Sequence, residues 1–457
     1  MARDTANDTL IESRDQLVAS IEVGCKPKDR WRIGTEHEKL PFYRDGDRPV
    51  PYEGPNGIEA VLKGMESLLG WEPIYDAGNI IGLVDPTGGG AISLEPGGQF
   101  ELSGAPLPNI HRTCRETHAH LAQVREVAEP LGIGFLGIGM SPKWSRAVTP
   151  MMPKQRYRIM ANYMPKVGSK GLDMMFRTTT IQVNLDFSSE SDMVRKMRVG
   201  LALQPIATAL FANSPFTEGK PNSFLSYRAE IWRDVDNNRS GMLPFAFEEG
   251  FGFERYVDWA LEVPMYFVIR DGRYIDMTDT TFGAFLKRPG ANGHSNLEPT
   301  MGDWLNHLST LFPDVRLKTF LEMRGADGGP TRRICALPAF WTGLLYDEEA
   351  LGAAEELTAD WSDAEREGLR NHVPKTGLAT PFRQETVLQI ARRAVEIARL
   401  GLNNRGEMST GGFTEAEYLA PLEETLALKR TPAEELLAQY RTRWGGSVEP
   451  LFTEYAY

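Results

Sequence analysis

The stretch Arg30-Trp31-Arg32-Ile33-Gly34-Thr35-Glu36-His37-Glu38-Lys39 constrains this chain more than any other. Read as a strand it alternates, with Trp31, Ile33 and Thr35 on one face and Arg32, Glu36 and Glu38 on the other. Two carboxylates one pleat apart repel each other unless a cation sits between them, and hard oxygen ligands of this kind suit Mg²⁺. The stretch is therefore a candidate metal rail with its apolar side buried. A solvated edge strand with two exposed glutamates is the alternative these residues leave open.

Other acidic residues fall on strands with the same pattern. Ile92–Glu95 and Gln99–Ser103 both alternate, and Pro96-Gly97-Gly98 between them suits a tight reversal. The resulting hairpin sets Ser93, Glu95, Gln99, Glu101 and Ser103 on polar faces. Thr178–Phe187 alternates cleanly, which places Thr180, Gln182, Asn184 and Asp186 on a polar working face with Arg177 at the entrance. Phe320–Gly325 puts Glu322 and Arg324 on one face. An antiparallel sheet that collected Glu36, Glu38, Glu95, Glu101 and Glu322 would present a carboxylate-lined trough. Such a trough is electrostatically costly alone and suits phosphoryl transfer when Mg²⁺ and a polyphosphate fill it.

The cations gather elsewhere. Trp144–Lys170 is rich in cations and aromatics, including Lys154, Arg156 and Lys166, and suggests an anionic ligand of modest size. Ser226–Gly241 holds Tyr227, Arg228 and Trp232 in a polar setting and reads as a surface turn or a substrate-closing lid. No Walker A sequence, kinase signature, Gly-x-Ser-x-Gly elbow or HExxH occurs. Gly132–Gly137 formally matches GxGxxG, but it follows a helix and precedes Met140-Ser141-Pro142, so it reads as a small-residue strand packed closely on a neighbour.

At 457 residues and 41% apolar content the chain can bury a substantial core. One catalytic body over 1–457 is expected, with an N-terminal helix in 1–29, a sheet-rich core over 30–336 and a mainly helical layer over 337–457. The first helix is predicted over Thr9–Val23 with Asp8 as its cap, and Lys287–Gly302 reads as a Gly/Pro/Asn-rich loop. A net charge of −12 without a Lys/Arg block argues against a nucleic-acid partner, and no apolar run is long enough to span a membrane. The cysteines Cys25, Cys114 and Cys335 show no CxxC and no Cys/His ligand spacing. On the helix predicted over Asn109–Glu129, His111 and His118 share a face that His120 does not. Met1–Ser20 is neither a signal peptide nor an acid-poor transit peptide, so a cytoplasmic protein is expected.

Several of these motifs are long enough to be specific. Gly34-Thr35-Glu36-His37-Glu38-Lys39, the run Ser93–Gly104, Val183–Phe187, Asn213-Ser214-Pro215-Phe216 and Leu321–Pro330 resemble the plant and proteobacterial type of glutamate–cysteine ligase. The resemblance runs from about Arg30 to the C-terminus. It implies an α+β, glutamine-synthetase-like fold in which a curved antiparallel sheet, flanked by helices, forms an active-site funnel. It also implies ATP-dependent joining of the γ-carboxylate of L-glutamate to the amine of L-cysteine, the first step of glutathione synthesis, by a monomer or weak homodimer.

Carried onto this chain, the resemblance implies metal ligands at Glu36, Glu38, Glu95, Glu101 and Glu322, with Gln182 beside them. Arg324 is expected to stabilise charge on the transferring phosphoryl group, and Arg177 and Arg228 to meet substrate carboxylates. Tyr227 and Trp232 would wall the cysteine side chain, and Lys154, Arg156 and Lys166 would face ATP. Cys114 and Cys335 fall where one regulatory cysteine pair lies in plant relatives; Met277 replaces the first cysteine of the other. A same-fold ligase with another amine acceptor, a phosphagen-type kinase and a non-catalytic binding protein are the competing readings.

Overall fold

The long strand β1 (Ile33–Tyr43) has hydrogen-bonded neighbours along both edges. The structure, a computed structural model, describes residues 4–288 and 297–457. β2 (Arg48–Pro49) and β7 (Ile133–Leu136) pair with the C-terminal half of β1. Between them in sequence come β3 (Glu72–Asp76), β4 (Asn79–Val84), β5 (Ala91–Leu94) and β6 (Phe100–Ser103). β8 (Thr180–Leu185), β9 (Val315–Leu317) and β10 (Leu321–Asp327) complete a ten-stranded sheet whose main path runs β9-β10-β8-β1-β6-β5-β4-β3, with every pairing antiparallel. The expected mixture of helices and antiparallel sheet is what the chain forms, and the strands of this sheet all fall within 33–327.

Alternation explains which face is covered. Ile33, Ile181, Val183, Leu185, Leu321 and Met323 point into one core shared with α6 (Glu190–Phe211), α8 (Thr331–Leu345) and α9 (Val387–Arg405). α3 (Ile110–Ala128) adds Ile110 and Leu121 to that core, and its start is set by Asn109, whose side chain accepts from the Arg112 N–H. Beneath the sheet His37, Lys39 and His120 are buried together, and the Lys39 ammonium lies 3.2 Å from His37 Nδ1. Burial pushes Lys39 down to about 7.

The β5–β6 reversal is built by its glycines. Gly98 has φ +86°, and a Cβ on Gly97 would lie 2.2 Å from the Phe176 carbonyl oxygen. Gln99 fastens the turn: its side-chain oxygen accepts from Gly97 N–H, and its Nε2 donates to the carbonyls of Met175 and Thr178. The GxGxxG segment forms β7 as a close-packed strand, where any Cβ on Gly134 would meet the Phe42 ring at 2.5 Å.

Three local expectations change. The first helix, α1, spans Arg14–Glu22 and is introduced by Ser13, because Gln16 Oε1 accepts from the Ser13 N–H; Asp8 lies upstream of it. The polar segment after Ser226 is an ordered short helix, α7 (Tyr227–Ile231), capped when Ser226 Oγ accepts from the Ala229 N–H. It is anchored downstream by a buried ion pair, Arg239 Nε to Asp236 at 2.6 Å, so it is an ordered segment and not a loose turn. Much of the loop read over 287–302 lies outside the described residues; Phe282–Lys287 and Met301–Ser309 are helices.

Replacing Gly97 with alanine is expected to lower stability by about 2 kcal/mol or more, because the clash is with backbone. Urea unfolding of Gly97→Ala beside Gly98→Ala checks this, and equal stability of Gly97→Ala and the parent would refute the close-approach argument.

Candidate active site

Register assembles the acidic residues. Glu38 on β1 stands opposite Glu101 on β6, which stands opposite Ser93 on β5. Glu36 lies between Gln182 on β8 and Ser103 on β6, and Glu322 on β10 lies between Asn184 on β8 and Arg316 on β9. Residues directly opposite share a face, so these groups form three transverse rows on the side away from the helical core. Glu95 joins them from the fastened reversal after β5.

Hydrogen bonds hold Glu36, Glu38 and Glu101 in place. Glu36 accepts from Asn184 Nδ2 at 2.9 Å and Gln182 Nε2 at 3.4 Å. Glu38 accepts from the Thr180 N–H at 3.0 Å, and Glu101 from the hydroxyls of Ser93 at 2.8 Å and Ser103 at 3.1 Å. Low-dielectric surroundings, then the charges of Glu95 and Glu101, push the Glu38 carboxyl well above its ordinary range. Burial, then Glu101, raises Glu95; burial, then Glu322 and Glu101, raises Glu36. Asn184 Oδ1 is buried with no partner among the described residues. Hard oxygens that repel one another, beside an unpartnered amide oxygen, are a donor set that fits Mg²⁺.

Glu322 has different company. Arg316 binds it through two nitrogens at 2.7 to 3.1 Å, Lys318 approaches at 3.2 Å, and Arg324 also donates to it. Burial works against its charge, but Arg316, Lys318 and Arg324 hold it well below the usual carboxylate range. Its charge is thus already matched, and it would join a metal only by releasing one of these cations. Arg324 is shared with Gln182 Oε1 at 2.5 Å and lies over the rings of Trp232 and Phe312.

Two cavities meet at Arg228, Trp232, Phe312 and Arg324. One is lined also by Glu38, Glu95, Arg156 and Tyr157. The other holds Gln204, Asp314 and Arg370. Arg228 donates to the Arg324 carbonyl at 2.9 Å. Lys154 is buried near Glu95 and donates to the Leu94 carbonyl at 3.0 Å, while Arg156 pairs with Asp4 at 3.3 Å.

Three residues picked from the sequence stand apart. Arg177 is engaged by Asp173 at 2.7 Å and Glu218 at 2.9 Å, where it braces the end of α5 (Gly171–Arg177). Lys166 is exposed at the C-terminal end of α4 (Gln155–Val167), and Tyr227 packs against Phe224, the rings tilted by 42°, outside both cavities. Conversely, Arg316, Lys318, Asp314 and Arg370 were missed. The alternation Arg316-Leu317-Lys318 ahead of Glu322 was a readable sign for the first two; Asp314 and Arg370 come together only through the fold. Cys114 and Cys335 are joined by a disulfide with Cα atoms 5.3 Å apart.

Comparison with known proteins agrees with this geometry. The family described as glutamate-cysteine ligase family 2 matches residues 32–454. The chain is 57% identical over 447 residues to glutamate–cysteine ligase B, chloroplastic, of Oryza sativa subsp. japonica, covering 97% of this chain and 87% of that protein. It is likewise 57% identical to glutamate–cysteine ligase, chloroplastic, of Arabidopsis thaliana, covering 97% and 83%. A glutamate–cysteine ligase from Francisella tularensis, solved in complex with AMP, shares the fold with a TM-score of 0.55 at 11% identity, over 93% of this chain and 89% of that one. These relatives overturn the cytoplasmic expectation: those at 56–57% identity are named chloroplastic.

Because folding raises the Glu38 carboxyl, the folded chain holds more protons than the unfolded one from the ordinary carboxylate range up to the raised value. The stability linked to Glu38 is therefore fully present below the ordinary carboxylate range and is lost as pH rises through the raised folded value. Without divalent cations, Glu38→Gln is expected to gain about 1 kcal/mol at neutral pH and to flatten that decline. It should also lose part of the Tm increase that Mg²⁺ gives the parent. Thermal unfolding across pH, with and without Mg²⁺, checks all three.

Proposed function

Since the chain belongs to glutamate–cysteine ligase family 2, we propose that the carboxylate trough and its two adjoining cavities are where ATP, L-glutamate and L-cysteine meet. The reaction is the ATP-dependent ligation of glutamate to cysteine, which feeds glutathione biosynthesis. The observation that carries the placement is the convergence of Glu36, Glu38, Glu95 and Glu101 on one sheet face beside an arginine cluster.

Glu36, Glu38, Glu95 and Glu101 would hold Mg²⁺, which when bound would supply the charge neutralisation that lets a triphosphate approach a carboxylate. Arg324, fixed in direction by Glu322 and Gln182, faces the negative charge that builds on the transferring phosphoryl group. The γ-carboxylate of glutamate attacks the γ-phosphorus of ATP and releases ADP. The cysteine amine then attacks the carbonyl carbon of the acyl phosphate, loses a proton, and expels phosphate as the amide forms. No protein nucleophile is required, because positioning and charge stabilisation suffice for this class of reaction.

The second cavity has the polarity of an amino-acid site. Arg228 and Arg324 offer guanidiniums to a carboxylate, and Arg370 and Asp314, paired with each other at 3.2 Å, would meet a substrate carboxylate and ammonium by exchanging that pair. Trp232 and Phe312, packed edge to face with centroids 5.7 Å apart, supply an apolar wall. Arg156, which lines the first cavity, and Lys154, buried near Glu95, would meet the triphosphate.

ADP release is expected to require glutamate and to rise severalfold when cysteine is added. Arg324→Lys keeps the charge but loses the fork that Gln182 and Glu322 share, and should lower kcat by about 100-fold (on the order of 3 kcal/mol) with a small change in the KM for ATP. A coupled ADP assay checks both. A stable phosphorylated product in the absence of any amine would instead identify a kinase.

A further inference from the structure

The described residues gather soft metal ligands at one place outside the trough. Cys114 and His118 sit one turn apart on α3, and Cys335 on α8 faces them; their ligand atoms all lie within 4.8 Å of one another. His118 Nδ1 donates to the Cys114 carbonyl at 2.7 Å and passes 3.6 Å from Cys114 Sγ, so the ring is already held beside the sulfur, and coordination through Nδ1 would give up that hydrogen bond as the ring proton moves to Nε2. Both helices pack on the sheet face opposite the carboxylates. With the disulfide closed the sulfurs have no charge to offer a cation, and the three residues form no site.

We propose that once this disulfide is reduced, Cys114, Cys335 and His118 bind one thiophilic divalent cation of the Zn²⁺ class. Reduction by a dithiol or phosphine delivers two electrons and two protons and leaves two thiols. Metal uptake then releases those two protons as two thiolates coordinate. Sulfurs that share a tetrahedral cation through bonds of about 2.3 Å stand roughly 3.7 Å apart. Cα atoms 5.3 Å apart are within reach of that separation.

The chemistry selects the cation. Cys114 and Cys335 are 5% and 3% exposed, and buried thiols resist ionising singly; a divalent cation cancels both thiolate charges at once. Two sulfurs and an imidazole favour Zn²⁺ over Mg²⁺, which stays with the oxygen-lined trough. His118 is exposed, which gives the ion a path in and leaves the fourth position to water. The two helices would then be clamped in either redox state, by a covalent bond or by a metal.

The test uses the full chain with Cys25→Ser, so that the remaining thiols belong to this pair, and Co²⁺ as the optical probe. After phosphine reduction and confirmation of two titratable thiols, Co²⁺ should produce a thiolate-to-metal charge-transfer band saturating at one equivalent. Up to two protons should be released, and one equivalent of Zn²⁺ should bleach the band. The oxidised protein should show no band. His118→Ala, a surface change, should weaken Co²⁺ binding at least tenfold, and Cys335→Ser should abolish the band. A reduced protein that gives no thiolate band overturns the proposal, as does a band unchanged by His118→Ala. None of these readouts depends on ligase activity.

Discussion

Repulsion among carboxylates held on one face of a sheet is the constraint around which the rest of this molecule is arranged. Glu38 opposite Glu101, with Glu95 beside them, is a juxtaposition an isolated strand pair would avoid. Here it persists because the apolar side of the sheet is sealed on both flanks, by α6, α8 and α9 against the start of β1 and β8, and by the helix Ile58–Leu69 and the end of α3 against β5 and β6, which fixes the register. Hydroxyl and amide donors on neighbouring strands satisfy individual oxygens without removing the net charge. The unrelieved charge is what a divalent cation can use.

The acidic rows grade into a basic one along the same sheet. Arg316, Lys318 and Arg324 converge on Glu322 two strands away from Glu38, so the face passes from repelling anions to a matched cluster within a few strand spacings. A substrate that must bring a triphosphate and a carboxylate together meets cation-binding oxygens on one side and guanidiniums on the other. Arg324 works at the boundary because Glu322 and Gln182 fix its direction while the aromatic rings of Trp232 and Phe312 limit its sweep.

Much of this was legible from residues. Period-two alternation in Arg30–Lys39, the 92–103 hairpin and Thr178–Phe187 gave the strands and the faces on which Glu36, Glu38, Glu101, Gln182 and Asn184 stand, because alternation is a local property. Arg177 was misleading for a related reason. A cation at a strand entrance looks poised for a ligand, and nothing local shows that Asp173, one helical turn earlier, and Glu218 will absorb it. Asp314 and Arg370 were invisible because their meeting depends on packing between distant elements. The ordering of Ser226–Gly241 was hidden too: its polar surface suggested solvent, whereas Arg239 is fully buried against Asp236 and the Thr310 and Pro264 carbonyls.

β1 is bonded to β6 and β8 along its first half and to β7 along its second. A strand gripped on both edges has no fraying end from which amide protons can trade with solvent one at a time. Exchange at Glu36, His37 and Glu38 then requires the sheet to part as a unit, so the backbone bearing the acidic pair belongs to the last portion of the molecule to open. Adjustment to incoming reactants is left to side chains and to the segments bordering the cavities.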